Sequence, residues 1–224
     1  MKKTRKRISI IVVDDHPLVR KGITATLGEE AEFNVCGEAS SYEEAVEMAS
    51  RQKPDIALVD LTLEDRNGLE LIRALGETSP ETKVIILTMH DEQVYAERCL
   101  RTGARGFLMK SHGPGDLVNA IHTVNEGRMY ASDELLQRVL LALTQPAKAE
   151  REELAVLTDR EFQIFELLGQ GRTSKEVAEI LHLSSKTIDV HRIRIRKKLD
   201  IQSNSELVAF AVKKLESHKA PDDI

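Results

Sequence analysis

The sequence predicts an α/β protein with a doubly wound, five-stranded parallel sheet, followed by a small all-α helix-turn-helix domain. Strand-like and helix-like segments alternate five times within residues 8–125, a pattern that gives a parallel sheet covered by helices on both faces. Beyond residue 157 only short helical patterns remain. The charge changes as well: residues 1–156 contain 20 Lys and Arg against 26 Asp and Glu, whereas residues 157–217 contain 11 against 9. This change of sign indicates two domains with different partners.

Five short apolar runs are the predicted strands. Each is rich in aliphatic residues and ends at polar or acidic residues, as buried parallel strands do. Right-handed crossovers favour the strand order 2-1-3-4-5. The predicted strands comprise residues 8–13, 33–37, 55–60, 83–88 and 107–110.

A helical pattern follows each predicted strand. The first helix is expected to begin with an acidic N-cap at Asp14 or Asp15 and with Pro17 in its first turn, and to end at Gly28. Its predicted apolar face consists of Leu18, Val19, Ile23 and Leu27. The other predicted helices comprise residues 41–49, 68–75, 91–100 and 116–125, the last with Leu117, Ala120, Ile121 and Val124 facing inward.

The pattern changes after Gly127. Residues 132–143 form a lone predicted helix, and the polar stretch around Pro146 indicates a linker. Four short helices are then predicted at residues 159–168, 174–181, 185–199 and 205–215. We therefore divide the chain into a sheet domain (1–127), a linker with a helix (128–153), a helical domain (154–217) and a C-terminal tail (218–224).

The composition excludes several classes of protein. With 41% apolar and 31% charged residues, the chain resembles an ordinary globular protein. The two cysteines, Cys36 and Cys99, have neither metal-ligand nor disulfide spacing. The apolar run at residues 8–13 is shorter than the roughly 7–15 residues of a signal peptide, and no segment approaches the roughly 18 of a membrane span. We therefore expect a cytoplasmic protein without a membrane attachment.

Acidic residues mark the ends of the first and third predicted strands. Asp14, Asp15 and Asp60 should meet at the switch point of the sheet, where such folds bind ligands. Two unit charges 4 Å apart repel by roughly 4 kcal/mol at an effective dielectric constant of about 20. A divalent cation relieves this repulsion, and oxygen ligands favour Mg²⁺. A carboxylate held against Mg²⁺ can attack a phosphoryl group and become an acyl phosphate.

Two further polar residues end the fourth and fifth strands at the same edge. The hydroxyl of Thr88 can donate to a phosphoryl oxygen, and Lys110 can pair with the new charge. Each feature alone has a simpler explanation: a helix cap at Asp14 and Asp15, a β-branched strand residue at Thr88, or a solvated strand end at Lys110. Their occurrence together at contiguous strand ends favours a shared site.

These segments resemble the receiver domain of two-component response regulators over residues 7–127. The matching motifs are residues 12–16, 57–61, 86–88 and 107–110, in the family's order. The resemblance implies that Asp60 is the phosphoacceptor and that Mg²⁺ is bound by Asp14, Asp15, Asp60 and the main-chain carbonyl of Thr62. It further implies a switch made by Thr88, Phe107 and Lys110, although Phe107 could equally be a packing residue of the core.

The helix predicted at residues 185–199 is strongly basic. It follows an N-cap pattern at residues 184–187 and contains Arg192, Arg194, Arg196, Lys197 and Lys198. Ile188, Ile193 and Leu199 can face a core, which leaves the basic residues for phosphates or for solvent. The short helix before it makes the pair a helix-turn-helix pattern, whose second helix enters the major groove.

Residues 157–212 resemble the LuxR-type helix-turn-helix of NarL/FixJ response regulators. The motifs are residues 157–161, 171–178, 186–192 and 198–199. The resemblance implies that Asp189, Val190 and Ile193 face base edges, and that Lys186, Thr187, Arg192 and Lys197 approach phosphates. It also implies that the last helix pairs two domains through Leu207, Val208 and Ala211.

Together the two resemblances predict a transcription regulator switched by phosphorylation. A cognate histidine kinase would phosphorylate Asp60, and an activated homodimer would bind an inverted repeat in double-stranded DNA. No enzymatic turnover is expected beyond slow autodephosphorylation. Two alternatives remain: a Mg²⁺-dependent phosphatase with Asp60 as nucleophile, and a protein-interaction adaptor whose rear helices do not bind DNA.

Overall fold

The computed structural model describes residues 7–63, 68–89, 92–133, 135–137, 154, 156–181 and 183–218. The chain divides into two compact units, residues 1–140 and 141–224. Each unit is described by itself.

A five-stranded parallel sheet forms the centre of the first unit. Its strand order, β2-β1-β3-β4-β5, confirms the prediction. Val13 lies opposite Val59 at the ends of β1 and β3, so the residues that follow these strands emerge side by side. The strands are β1 Ile8–Val13, β2 Phe33–Ala39, β3 Ile56–Val59, β4 Lys83–Thr88 and β5 Gly106–Met109.

Five helices cover this sheet. The Ser41 side chain caps α2 by accepting a hydrogen bond from the Glu44 N–H at 3.2 Å, as its position in the sequence indicates. The prediction of an acidic N-cap for α1 is wrong: the cap is His16, whose side chain makes no capping bond. The helices are α1 Pro17–Gly28, α2 Tyr42–Gln52, α3 Gly68–Thr78, α4 Glu92–Thr102 and α5 Pro114–Asn125.

The core of the first unit lies on both faces of the sheet. All four residues predicted to face inward from α5 are buried, against aliphatic residues of β1, β3 and β4. Full burial of one such side chain contributes about 1.5–3 kcal/mol. On α1 the prediction is wrong for Leu18, which is 86% exposed, whereas Leu27 is buried. Leu18 lies in the first turn of α1, next to His16 and Pro17, which are exposed as well.

A short segment beyond α5 pairs with β5. The Phe107 N–H donates to the Tyr130 carbonyl at 2.8 Å, and the Tyr130 N–H donates to the Arg105 carbonyl at 3.0 Å. Gly106 and Tyr130 form a parallel bridge. The apolar runs do not predict this pairing, because one residue pair leaves no periodic pattern.

Among the described residues of the second unit, four helices are resolved from end to end, in agreement with the predicted segments. They pack closely: a Cβ added at Gly169 would lie 2.6 Å from Leu215 Cδ1 and 2.9 Å from the main chain of Ala211. Thr158, Thr173 and Ser184 cap the first three. The helices are α6 Asp159–Gly169, α7 Ser174–Ile180, α8 Ser185–Lys198 and α9 Asn204–His218.

Most of the predicted linker helix at residues 132–143, most of the linker, and residues 219–224 of the predicted tail lie outside the described residues. Ser132, at the start of the predicted linker helix, is described. It accepts hydrogen bonds from the next turn, and its main-chain N–H donates to the Glu92 carboxylate at 3.1 Å. No helix in the described ranges combines the length and apolar character that a membrane crossing requires.

Candidate functional site

Three aspartates meet at the carboxyl end of the sheet. The Asp60 N–H donates to the Val13 carbonyl at 2.9 Å, which continues the pairing of β3 with β1 and brings Asp60 beside Asp14. One oxygen each of Asp14, Asp15 and Asp60 and one ring nitrogen of His16 lie within 4.8 Å of one another. Asp14 and Asp60 are 1% and 5% exposed. The structure therefore brings together the three carboxylates that the sequence placed at one edge. We call this group, with Lys110, the acidic pocket.

The Lys110 ammonium lies between the two buried carboxylates. Its Nζ is 2.6 Å from Asp60 Oδ2 and 2.6 Å from Asp14 Oδ2. The Lys110 N–H donates to the Thr88 carbonyl at 2.7 Å, so the end of β4 fixes the position from which the side chain extends. One cation therefore contacts two carboxylates and balances only one of their two negative charges.

Burial and charge act against each other in this group. Burial raises the pKa of the Asp60 carboxyl, the Lys110 ammonium opposes that rise, and the charge of Asp14 adds to it. Burial also disfavours the charged form of Lys110, but the Asp60 and Asp14 carboxylates outweigh it and raise the pKa of the ammonium. The pocket therefore still favours added positive charge.

His16 belongs to the same cluster. Sequence reasoning placed it at a helix start and in the motif of residues 12–16, but gave it no role in the site. Its ring Nδ1 lies 2.5 Å from Asp15 Oδ1, and its main-chain N–H donates to Asp14 Oδ1 at 2.8 Å. The signal in the sequence was its position directly after the two acids. The imidazole of His16 therefore contacts the Asp15 carboxylate, whereas Lys110 contacts those of Asp14 and Asp60.

The donors fit a hard divalent cation. Three carboxylates supply the oxygen ligands that Mg²⁺ prefers, and their negative charge, which Lys110 only partly balances, attracts a divalent cation. The Thr62 N–H donates to Asp60 Oδ1 at 3.3 Å, so the main chain of Thr62 lies against the pocket. Its carbonyl as a ligand stays a prediction.

The predicted switch residues lie on neighbouring strands. Thr88 is fully buried at the end of β4, opposite Met109, and Phe107 is buried on β5 opposite Ile86. The position of Thr88 at this end of the sheet agrees with its predicted placement. The roles of Thr88 and Phe107 as switches stay predictions.

Gly68 is a residue of this site that sequence reasoning missed. A Cβ added there would lie 2.5 Å from the Asp60 carbonyl oxygen and 2.8 Å from Leu61 Cα. The Gly68 N–H donates to the Leu61 carbonyl at 2.9 Å. Only glycine lets the start of α3 approach the main chain of Asp60 so closely, and a glycine at the start of a predicted helix was the available signal.

In the second unit, α8 buries one side and exposes another. Ile188 and Ile195 are fully buried, whereas Val190 and Ile193 are 42% and 56% exposed. The suggestion that Ile193 faces the core is wrong, because Ile195 occupies that place one heptad after Ile188. The exposed position of Ile193 agrees with the alternative prediction that it faces a ligand.

The predicted DNA contacts lie mainly on the exposed side of α8. Arg192 is half-buried, and its guanidinium donates to the Ser174 hydroxyl at the start of α7, which joins the two helices. The Thr187 hydroxyl lies 2.8 Å from that of Ser184. The exposed members of the set are Lys186, Asp189, Val190, Ile193 and Lys197.

Two of the three predicted dimer contacts are buried in their own unit. Leu207 and Ala211 are fully buried, because their side of α9 packs against α6. A second copy could not contact them without unfolding this packing, which corrects the prediction for both. Val208 is half-buried.

Comparisons with known proteins agree with both halves of the chain. Residues 10–122 match the family "Response regulator receiver domain", and residues 155–211 match "Bacterial regulatory proteins, luxR family". The chain is 34% identical to the response regulator UvrY of Escherichia coli (strain K12) over 206 residues, 92% of this chain and 94% of that protein. It is 36% identical to the response regulator GacA of Pseudomonas viridiflava over 206 residues, 92% of this chain and 96% of that protein.

A solved structure agrees as well. A LuxR-family two-component response regulator from Aurantimonas sp. SI85-9A1 is 31% identical, with a TM-score of 0.57, and covers 62% of this chain and 100% of its own. This structural similarity agrees with the two family matches and with the relatives, which align over almost their whole length. The chain therefore belongs to the two-component response regulators that combine a receiver domain with a LuxR-type DNA-binding domain.

Proposed function

We propose that Asp60 of this response regulator accepts a phosphoryl group from the phosphohistidine of a histidine kinase. The observation that carries the proposal is the convergence of Asp14, Asp15 and Asp60 at one edge of the sheet, with the Lys110 ammonium in contact with Asp14 and Asp60. An Asp60 oxygen attacks phosphorus, the P–N bond breaks, and its electron pair returns to the donor imidazole. The product is an acyl phosphate at the mouth of the pocket.

Bound by Asp14, Asp15, Asp60 and the Thr62 carbonyl, Mg²⁺ would neutralise charge on the transferring phosphoryl group. The chain's own residues then respond to the product. Lys110 exchanges its contact with the Asp60 carboxylate for the phosphoryl oxygens, and the buried Thr88 hydroxyl donates to another of them. Movement of Thr88 and Lys110 at the ends of β4 and β5 would alter the packing around Phe107 on β5.

The chain is not expected to turn over an outside substrate. Aspartyl phosphatases place a second acid two residues after the nucleophile, and Thr62 stands there. A neutral hydroxyl cannot serve as the general acid that a leaving group needs at neutral pH. Slow hydrolysis of the chain's own acyl phosphate is the activity that remains.

We further propose that phosphorylation favours a homodimer that binds an inverted repeat in double-stranded DNA. The exposed residues of α8 support this proposal, because an apolar pair, Val190 and Ile193, is flanked by basic residues as major-groove readers require. Of the predicted dimer residues, Val208 alone is accessible enough to contribute.

Phosphoryl acceptance is tested with the full chain, Mg²⁺ and acetyl phosphate, with labelling followed by intact mass. We expect wild-type protein to gain one phosphoryl group and Asp60→Asn to gain none. Asp133→Asn, at an exposed position outside the pocket, is the matched control and should label like wild type. Label that persists in Asp60→Asn would place the acceptor elsewhere.

DNA binding is tested by titrating salt. The logarithm of affinity should fall linearly with the logarithm of salt concentration, with a slope of about 0.9 per phosphate contact. A flat response would instead support a protein-interaction adaptor.

A further inference from the structure

Arg20, in the first turns of α1, reaches back to the loop that carries the acids. Its guanidinium Nη1 donates to the main-chain carbonyl of Asp14 at 2.5 Å. The side chain is only 17% exposed, unlike that of Arg51, which forms an ion pair on α2 and is 77% exposed. Arg20 is thus held inside the fold next to the acidic pocket, although it faces the main chain and not a carboxylate of the pocket.

A second residue fixes the guanidinium from the neighbouring strand. Arg20 Nε lies 3.3 Å from Glu38 Oε2, and the Thr24 hydroxyl donates to Glu38 Oε1 at 3.1 Å. Glu38 belongs to β2 and lies opposite Val12 of β1. The planar fork of Arg20 therefore joins three elements: the end of β1, the first turns of α1, and β2.

The peptide groups of the acid loop are held on both sides. The Asp14 N–H donates to the Ala39 carbonyl at 3.1 Å, and the Asp14 carbonyl accepts from Arg20. The first bond holds the peptide between Val13 and Asp14, and the second holds the peptide between Asp14 and Asp15. The backbone from which the Asp14 and Asp15 side chains extend is thereby restrained, whereas mutual repulsion of the carboxylates would otherwise drive them apart.

Glu38 also removes an electrostatic conflict. An unpaired guanidinium beside the pocket would repel a divalent cation, but the Glu38 carboxylate neutralises it. Arg20 can therefore act as a hydrogen-bond donor to the loop without a net positive charge.

We propose that Arg20 is a positioning residue that holds Asp14 and Asp15 in the geometry a divalent cation needs, and that Glu38 neutralises it. This inference rests on the proposed function, since it assumes that the pocket binds Mg²⁺. Groups that orient metal ligands from behind typically contribute 10–100-fold in affinity.

The sign of one substitution separates positioning from simple charge. If Arg20 acted on the pocket only through its charge, Arg20→Ala would remove a repulsive cation and tighten Mg²⁺ binding. If Arg20 positions the loop, Arg20→Ala should weaken Mg²⁺ binding by roughly 10–100-fold. Arg51→Ala makes the same charge change far from the pocket and should bind Mg²⁺ like wild type.

The experiment is calorimetric titration of MgCl₂ into the full-length chain at constant pH and ionic strength, with circular dichroism as the check of folding. Arg20→Lys keeps the charge, but one ammonium cannot reproduce the planar fork, so we expect weaker binding than wild type. Glu38→Gln leaves the guanidinium unneutralised, and its defect relative to wild type should shrink as KCl is added.

The outcomes are distinct. If folded Arg20→Ala binds Mg²⁺ as tightly as wild type, or more tightly, the inference is overturned. Wild-type affinity of Arg20→Lys overturns it as well, and this variant supplies the test if Arg20→Ala does not fold. Weaker binding by these variants, with Arg51→Ala unchanged, supports it. Failure of the wild-type chain to bind Mg²⁺ at all would instead overturn the proposed function on which the inference rests.

Discussion

Replacing Gly68 by alanine should damage the acidic pocket from behind. The new Cβ would lie 2.5 Å from the Asp60 carbonyl oxygen and 2.8 Å from Leu61 Cα, distances at which one side must move. Both obstacles are main-chain atoms, so no flexible side chain can yield. Overpacking of this kind costs about 1–3 kcal/mol. The displaced atoms belong to Asp60 itself, so phosphoryl acceptance should slow as well.

Gly76 offers a matched control on the same helix. It is exposed, and a Cβ added there meets nothing within 4 Å. Because alanine favours a helix interior over glycine by roughly 0.5–1 kcal/mol, Gly76→Ala should stabilise the receiver domain by that amount. The two substitutions are chemically identical and should shift stability in opposite directions.

The assay is urea unfolding of the full chain, followed through the methyl resonances of Ile10 and Val59, which report on the receiver sheet alone. Initial rates of labelling by acetyl phosphate give the second readout. If Gly68→Ala unfolds at the same urea concentration as wild type and labels equally fast, the close approach of α3 to Asp60 has no energetic weight and the reasoning fails.

Three other predictions concern single side chains. Asp60→Asn should raise the free energy of unfolding at pH 7 without Mg²⁺, because burial raises the pKa of Asp60 and its charged form opposes folding. The gain should disappear below about pH 4, where the carboxyl is protonated in both the folded and the unfolded chain. Equal stability of the variant and wild type at pH 7 would contradict this prediction. Glu161 is buried and lies 2.7 Å from Lys198 Nζ. Burial raises the pKa of Glu161, but hydrogen bonds from Lys198 and Thr158 outweigh it and lower the pKa; this contribution is therefore present above the unfolded-state pKa and lost as pH falls through the folded-state value. Glu161→Gln should cost about 1.5–3 kcal/mol at pH 7 in thermal unfolding of the DNA-binding domain, with little cost arguing against the pair. Arg192→Ala should weaken binding to all DNA sequences alike and reduce the salt slope by about 0.9; a loss confined to one sequence would make Arg192 a base reader.

The sheet could be predicted because its signals are local. Each apolar run is short, ends at a polar residue and is followed by a helical pattern, so strand order and edge follow from chirality rules. The same locality explains the errors. Leu18 fits the apolar stripe of α1, but nothing in the sequence shows that the start of this helix is exposed.

The helix α8 shows a second limit. Ile193 and Ile195 alternate with arginines, so periodicity within that short stretch cannot decide which isoleucine faces the core. Only the seven-residue spacing from Ile188 selects Ile195, which is buried.

In the acidic pocket, residue types predicted the meeting of the carboxylates but not the contacts that organise it. The pairing of Lys110 with two aspartates, the neighbour that His16 gives Asp15, and the approach of Gly68 depend on distances across the fold. Such contacts join residues that the chain separates by many positions or by a turn whose shape the sequence leaves open.

The hydrogen bonds between β5 and Tyr130 have a consequence for assembly. Sheets recruit foreign strands through unpaired main-chain groups at their margins. Tyr130 pairs with Arg105 and Phe107 and so occupies the start of the outer side of β5, whereas no described strand lies outside β2. A foreign strand that approached β5 would therefore have to displace Tyr130 before it could pair with the start of this strand.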